Sequence, residues 1–113
     1  MAAVYVSNLV INTGSTFTQT FNLEATNTNA PLDLTGYSAS SQMRKWAGSS
    51  TATTFTATIT SPPTAGVIEI GLTAAQTADL AAGRQVYNIL ITKGSITETV
   101  VEGMVLVREG VTR

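Results

Sequence analysis

The chain of 113 residues contains no cysteine and no histidine. Their absence excludes disulfide staples, thiolate nucleophiles, the usual zinc ligand sets and the commonest general base near neutral pH. Stability therefore has to come from packing, strand pairing or assembly. Charge is scarce as well: six Lys and Arg against seven Asp and Glu leave a formal net charge of -1, with charged residues only 12% of the chain. So small a charge creates no broad field to recruit nucleic acid or an anionic membrane surface. No apolar run is long enough to cross a bilayer as a helix. Residues 1–10 lack the basic n-region, long apolar h-region and small-residue cleavage pattern of a secretory signal. These absences read as one domain over residues 1–113, made in a cytosol, that binds neither nucleic acid nor membrane and has just enough length for a modest core.

What is present is alternation at period two. Val4, Val6 and then Leu9 to Ile11 predict a first strand with a bulge near Asn8, closed by Asn12, Thr13 and Gly14. Phe17, Gln19, Phe21 and Leu23 share a face opposite Thr16, Thr18, Thr20 and Asn22; Gln19 is the polar exception that needs a partner or an edge position. The Asn-rich residues 25–30 and Pro31 read as a loop. Tyr37, Ala39, Ser41 and Met43 form a third strand's inner face, and Phe55, Ala57 and Ile59 a fourth, which "SPPTAG" ends. Ile68, Ile70 and Leu72 mark a fifth strand. Thr73 and Gln76 have capping-box spacing, so residues 74–80 predict a one- or two-turn crossover docked by Leu80 and ended by Gly83. Val86, Tyr87, Ile89, Leu90 and Ile91 form the sixth strand, and "TKGS" turns into a seventh over residues 96–108. That last strand sets Val101, Val105 and Val107 against Val100, Met104 and Leu106, so both of its faces are expected to be covered. About seven strands in a chain of this length predict an all-β, immunoglobulin-like antiparallel β-sandwich with one short helical crossover; a partly open β-barrel is the alternative.

Reactive constellations are wanting. Glu98 and Glu102 read as one face of a strand, about 13 Å apart at ~3.3 Å per residue, too far for a direct catalytic pair. The Ser and Thr hydroxyls have no activating base, and no glycine cluster forms a phosphate cradle before a long helix. Gly103 reads as a bulge in preference to a close neighbour. Asp33 in "LDLTG" reads as a turn acceptor rather than a metal ligand. No catalytic residue, metal or cofactor is assigned. Within "QMRKW" a lone cation and aromatic cluster on a nearly neutral chain is weak as a nucleic-acid signal. Tyr37, Arg44 and Trp46 are instead the candidate protein-interface residues, with Tyr37 and Trp46 read as a core or interface aromatic pair, a protein contact being preferred.

Two long stretches, "TFTQTFNLEATNTNAPLDLTGYSASSQMRK" and "GVIEIGLTAAQTADLAAGRQVYNILITKGSITETVVEGMVLVREGVTR", together resemble small immunoglobulin-like virion proteins of tailed bacteriophages, especially of T4-like cyanophages. The pattern is also similar to the domain at the N-terminus of phage baseplate upper proteins. The resemblance covers nearly the whole chain, and its motifs are architectural: "LTGY" turns the chain into a strand and "TAAQTADLAAGRQVY" is the crossover into the next. It implies a non-enzymatic virion structural protein, an accessory module of the tail or baseplate. Such a module, made in the host bacterial cytoplasm, would act through contacts with other virion proteins and form a homo-oligomer only in the assembled particle. A capsid decoration or cement protein is the alternative within that class, and a carbohydrate- or host-surface-binding module the alternative outside it.

Overall fold

Alternating polarity becomes eight strands in the computed structural model, which describes residues 5–25 and 30–111. Val4, most of the Asn-rich loop and the last two residues of "EGVTR" lie outside the described residues. The strands are β1 (Tyr5–Val6), β2 (Leu9–Asn12), β3 (Phe17–Asn22), β4 (Ser38–Arg44), β5 (Thr53–Ile59), β6 (Val67–Leu72), β7 (Gly83–Lys93) and β8 (Ile96–Arg108), with one α-helix, α1 (Ala74–Ala78), and a single 3-10 turn at Pro63–Ala65. They join in one hydrogen-bonded path, β1-β8-β7-β4-β5-β6-β3, with β2 also on β8. The protein is thus all-β, as its alternation predicts.

The sheet is mixed and curls into a half-barrel. β1 and β2 run parallel to β8, whereas the other pairs are antiparallel. A parallel pairing cannot be made by a tight turn, and here the whole intervening chain serves as the crossover. The curl is made at β5. Its first half pairs with β4 through Thr53 to Phe55, and its second half pairs with β6 through Thr56 to Ile59. One strand thus changes partners along its length and turns the sheet's corner.

Inside the curl lie Leu9, Ile11, Phe21, Leu23, Leu34, Met43, Phe55, Ile68, Ile70, Leu72, Tyr87, Ile89, Ile91, Val100, Val101, Val105 and Val107. Each such aliphatic or aromatic side chain removed from water contributes about 1.5–3 kcal/mol of transfer free energy before entropic costs. Phe55 is central, edge-on to Tyr87 at 6.4 Å and tilted against Phe17 at 5.9 Å. Gln19 is half-buried on β3, a strand at the end of the path, and its Nε2 donates to the Thr20 carbonyl. The edge position is what the sequence requires of it.

The helix starts where the capping box puts it. The Gln76 amide donates to Thr73 Oγ1 at 3.2 Å, and the Thr73 amide to Gln76 Oε1 at 2.8 Å. Leu80 packs against the core as expected. The helix ends at Asp79, and Gly83 opens β7 instead of capping the helix. The deeper anchor is Thr77, fully buried, whose hydroxyl donates to the Ser15 carbonyl at 2.8 Å. Its competitor is the Ala74 carbonyl at 3.0 Å.

Two irregularities differ from expectation. Gly103 sits in regular register opposite Tyr87, and the shift falls instead between Ile89 and Leu90, which pair with Val101 and Thr99. Val100 is the extra residue, so both Val100 and Val101 are fully buried. Gly103 answers a close neighbour: a Cβ there would overlap the Ser7 carbonyl. Near Asn8 no residue is inserted, because Val6 pairs with Glu102 and Leu9 with Val105 at one constant offset. The ladder is interrupted there, and Asn8 Oδ1 takes the Met104 amide at 3.1 Å.

A Gly103→Ala substitution is expected to destabilise the fold by about 1–3 kcal/mol through overpacking, seen as a lower urea midpoint at unchanged m-value. Full wild-type stability would show that the Ser7 carbonyl has room to move.

Candidate interaction surface

Alternation along β8 sends Val101, Val105 and Val107 inward and leaves Glu102, Met104, Leu106 and Arg108 outward. The registers then fix their neighbours on the outer face. Val10 and Arg84 flank Leu106. Val86 flanks Met104 and is itself flanked by Arg44. Val6 and Asn88 flank Glu102, with Gln42 beyond Asn88. The apolar members are open to solvent: Val6 is 76%, Val10 50%, Met104 45% and Leu106 41% exposed. The expectation that both faces of the last strand are covered thus holds for the inner face alone. Three of the four arginines, Arg44, Arg84 and Arg108, line this outer face.

Of the residues singled out from sequence, Arg44 borders this face and Tyr37 and Trp46 do not share a site. β4 lies between Tyr37 and Trp46, so the chain places them at its two ends and they form no aromatic pair. Tyr37 is half-buried against the core, with the Lys93 ammonium 5.5 Å from its ring centroid. Trp46 is 61% exposed in the turn after β4. Arg44 is held locally, its guanidinium donating to the Ser49 carbonyl at 2.6 Å and to Gln42 Oε1 at 3.0 Å. Sequence reading missed Val6, Val10 and Arg84 as surface partners, because neighbourhood across strands depends on register. The available signal was the second apolar set on β8, Met104 and Leu106.

The bulge also separates the two glutamates that were read as one face. Glu98 is registered with inward Ile91, and Glu102 with outward Asn88, so they project to opposite sides of the sheet. One extra residue inverts the alternation beyond it.

Two depressions flank these elements. One of about 380 Å³ opens where β5 leaves β4, lined by Ser40, Gln42, Thr54, Asn88 and Leu90 among others. A smaller one of about 150 Å³ lies between Lys45, Thr51 and Asp79 beside the end of α1. Trp46 lines neither. Asp33 is the turn acceptor its setting suggests: Thr35 donates to Asp33 Oδ1 with its hydroxyl at 2.6 Å and its amide at 2.9 Å. The Thr35 hydroxyl, then its amide, hold the Asp33 carboxyl below the usual aspartate range. Among the described residues, every buried side-chain nitrogen or oxygen has a hydrogen-bond partner.

No family model and no curated protein matches the sequence. Among solved structures, the crystal structure of Listeria monocytogenes InlP is similar, with a TM-score of 0.52 over 90% of this chain at 10% identity. This chain spans 26% of that protein's chain. At such identity the likeness concerns the fold alone.

Burial pushes the Tyr87 phenol above the ordinary tyrosine range, and only the neutral phenol can donate to the Ser7 carbonyl, which it does at 2.7 Å. Because the folded value is the raised one, this contribution is complete below the ordinary pKa of ~10 and is lost as pH rises through the folded value. Tyr87→Phe is expected to cost about 1–3 kcal/mol at neutral pH and to flatten the alkaline fall in stability followed by urea unfolding. Equal alkaline profiles would remove Tyr87 as its source. For Asp33 the sign is opposite, its contribution being lost as pH falls through a depressed value. An NMR titration should find the Asp33 midpoint below that of ordinary aspartates, and Thr35→Val should raise it; an unchanged midpoint would sever the link to Thr35.

Proposed function

We propose that this chain is a non-enzymatic structural protein of a tailed-phage virion, an accessory tail or baseplate module acting through protein contacts. The observation that carries the contact reading is the outer sheet face, where Val6, Val10, Met104 and Leu106 are exposed together beside arginines. Contiguous apolar surface with a polar rim is the signature of a protein-contact site. The virion assignment is supported by the resemblance of "PLDLTGY", "LTAAQTADLAAGRQVY" and "VEGMVLVREGVTR" to small phage virion proteins.

The finer architecture proposed is an immunoglobulin-like sandwich. Supporting it, β3, β6 and the second half of β5 form one antiparallel group, and β4, β7 and β8 another, with β1 and β2 parallel on the outside of β8. Among the described strands the ladders of the two groups join only through β5, while their inward side chains share one core, which suits a two-layer packing of about seven strands.

Capsid decoration remains the alternative within the structural class. A glycan-binding reading finds its own support in the 380 Å³ depression with Ser40, Gln42, Thr54 and Asn88 on its walls.

The deciding experiment is quantitative mass spectrometry of purified virions, with heads and tails separated. A few to some tens of copies travelling with tails are expected. Hundreds with heads would make the protein a decoration protein, and absence from particles would overturn the virion assignment.

A further inference from the structure

We infer that the outer face of β1, β2, β8, β7 and β4 is closed by a second copy of this chain. The inference rests on reading that face as a protein-contact surface, but not on the virion assignment, and it departs from the expectation that copies associate only in the assembled particle. Its first ground is unmet burial. The longest strand of the protein has apolar residues on both faces, yet Met104 and Leu106, with Val10 beside them, are left 41% to 50% exposed.

The second ground is self-complementary charge. Glu102 and Leu106 lie symmetrically about Met104 on β8, two residues to either side, and Arg84 stands beside Leu106 on β7. Consider a two-fold axis through Met104, in the plane of the face and across the strands. It lays β8 of one copy antiparallel over β8 of the other, so the Glu102 row of each meets the Leu106 and Arg84 row of its mate. The apolar centre closes on itself and the Glu102 carboxylate comes beside the other copy's Arg84 guanidinium, twice. An isologous interface needs this reciprocity.

Size agrees with that arrangement. Four rows ~4.8 Å apart, averaging about ten residues at ~3.3 Å each, give a face of about 600 Å² in projection, approaching the ~800 Å² per partner of a stable interface. Association by edge pairing beside this face is disfavoured, because the strand that borders it is broken into β1 and β2 at Ser7 and Asn8, the kind of interruption that blunts an edge. Stacking of faces about 10 Å apart is the geometry that covers this face.

The chain's lack of cysteine makes the test clean. Sedimentation of the purified chain across a wide concentration range is expected to show reversible doubling of the 11.8 kDa mass. Leu106→Glu should raise the dissociation constant about thirtyfold or more, the effect of losing a central anchor. Glu102→Arg should weaken the dimer, and Glu102→Arg with Arg84→Glu should restore it. These two positions are exposed, so the pair keeps the test open if Leu106→Glu fails to fold. Under mild oxidation Met104→Cys should cross-link as a dimer, whereas Thr20→Cys on β3 should not. A chain of 11.8 kDa at every concentration, with Met104→Cys linking no faster than Thr20→Cys, would overturn the inference. So would a double charge swap no tighter than Glu102→Arg alone. A monomer that is nonetheless found on tails would sink the dimer and spare the virion reading; a dimer absent from particles would do the reverse.

Discussion

The carbonyl of Ser7 occupies the place that a side chain at position 103 would take, and much of the molecule follows from that contact. With only hydrogen on the Gly103 α-carbon, the first strand can lie close along β8 in parallel. Besides the ladders on either side, three hydrogen bonds hold it at Ser7 and Asn8: the Ser7 amide donates to the Glu102 carbonyl, the Met104 amide to Asn8 Oδ1, and the Tyr87 hydroxyl to the Ser7 carbonyl. Tyr87 is registered directly opposite Gly103, so its ring fills the side of the sheet that the glycine leaves bare. That docking turns Leu9 and Ile11 into the core and leaves Val6 and Val10 outside. One missing side chain therefore sets both the closure of the core and the composition of the outer face.

A second constraint acts at the far side of the sheet. β5 begins as the neighbour of β4 and ends as the neighbour of β6, which bends the hydrogen-bonded path around Phe55 and its aromatic contacts. The depression beside Ser40 and Thr54 is the local consequence, since β4 continues past the point where β5 has left it. At the opposite end, Thr77 ties the short helix to the turn after β2 through the Ser15 carbonyl. A five-residue helix has little stability of its own; its capping box starts it and its tertiary contacts keep it.

Protein contact as the proposed role follows from the economy of the chain. With no histidine, no cysteine and few charges, what the surface offers in concentration is apolar area bordered by arginine. Burial of such a face gives affinity, while Glu102 and the arginines give register and orientation. The same low charge leaves little repulsion between like copies, which suits packing at high local density.

Elements with a local signal were legible in the sequence. Inward residues such as Phe21, Ile68, Ile70 and Leu72 declare themselves by alternation, the helix start by Thr73 and Gln76, and the breaks by Pro62, Pro63 and the glycine turns. Alternation reports which face a residue takes relative to its own neighbours, and it carries no information about the partner strand. The parallel seating of β1 and β2, the division of β5 and the reason for Gly103 thus belonged to tertiary structure. The bulge at Val100 shows the limit most clearly: the adjacent valines at 100 and 101 do not tell which face each takes, and only the register reveals the slip that sends Glu98 and Glu102 to opposite sides. Of the candidate surface, Arg44, Met104 and Leu106 could be named from their own strands. That they meet Arg84, Val86 and Val10 was decided by register alone, because the pairing of β2 with β8 joins residues that lie 96 positions apart in the chain.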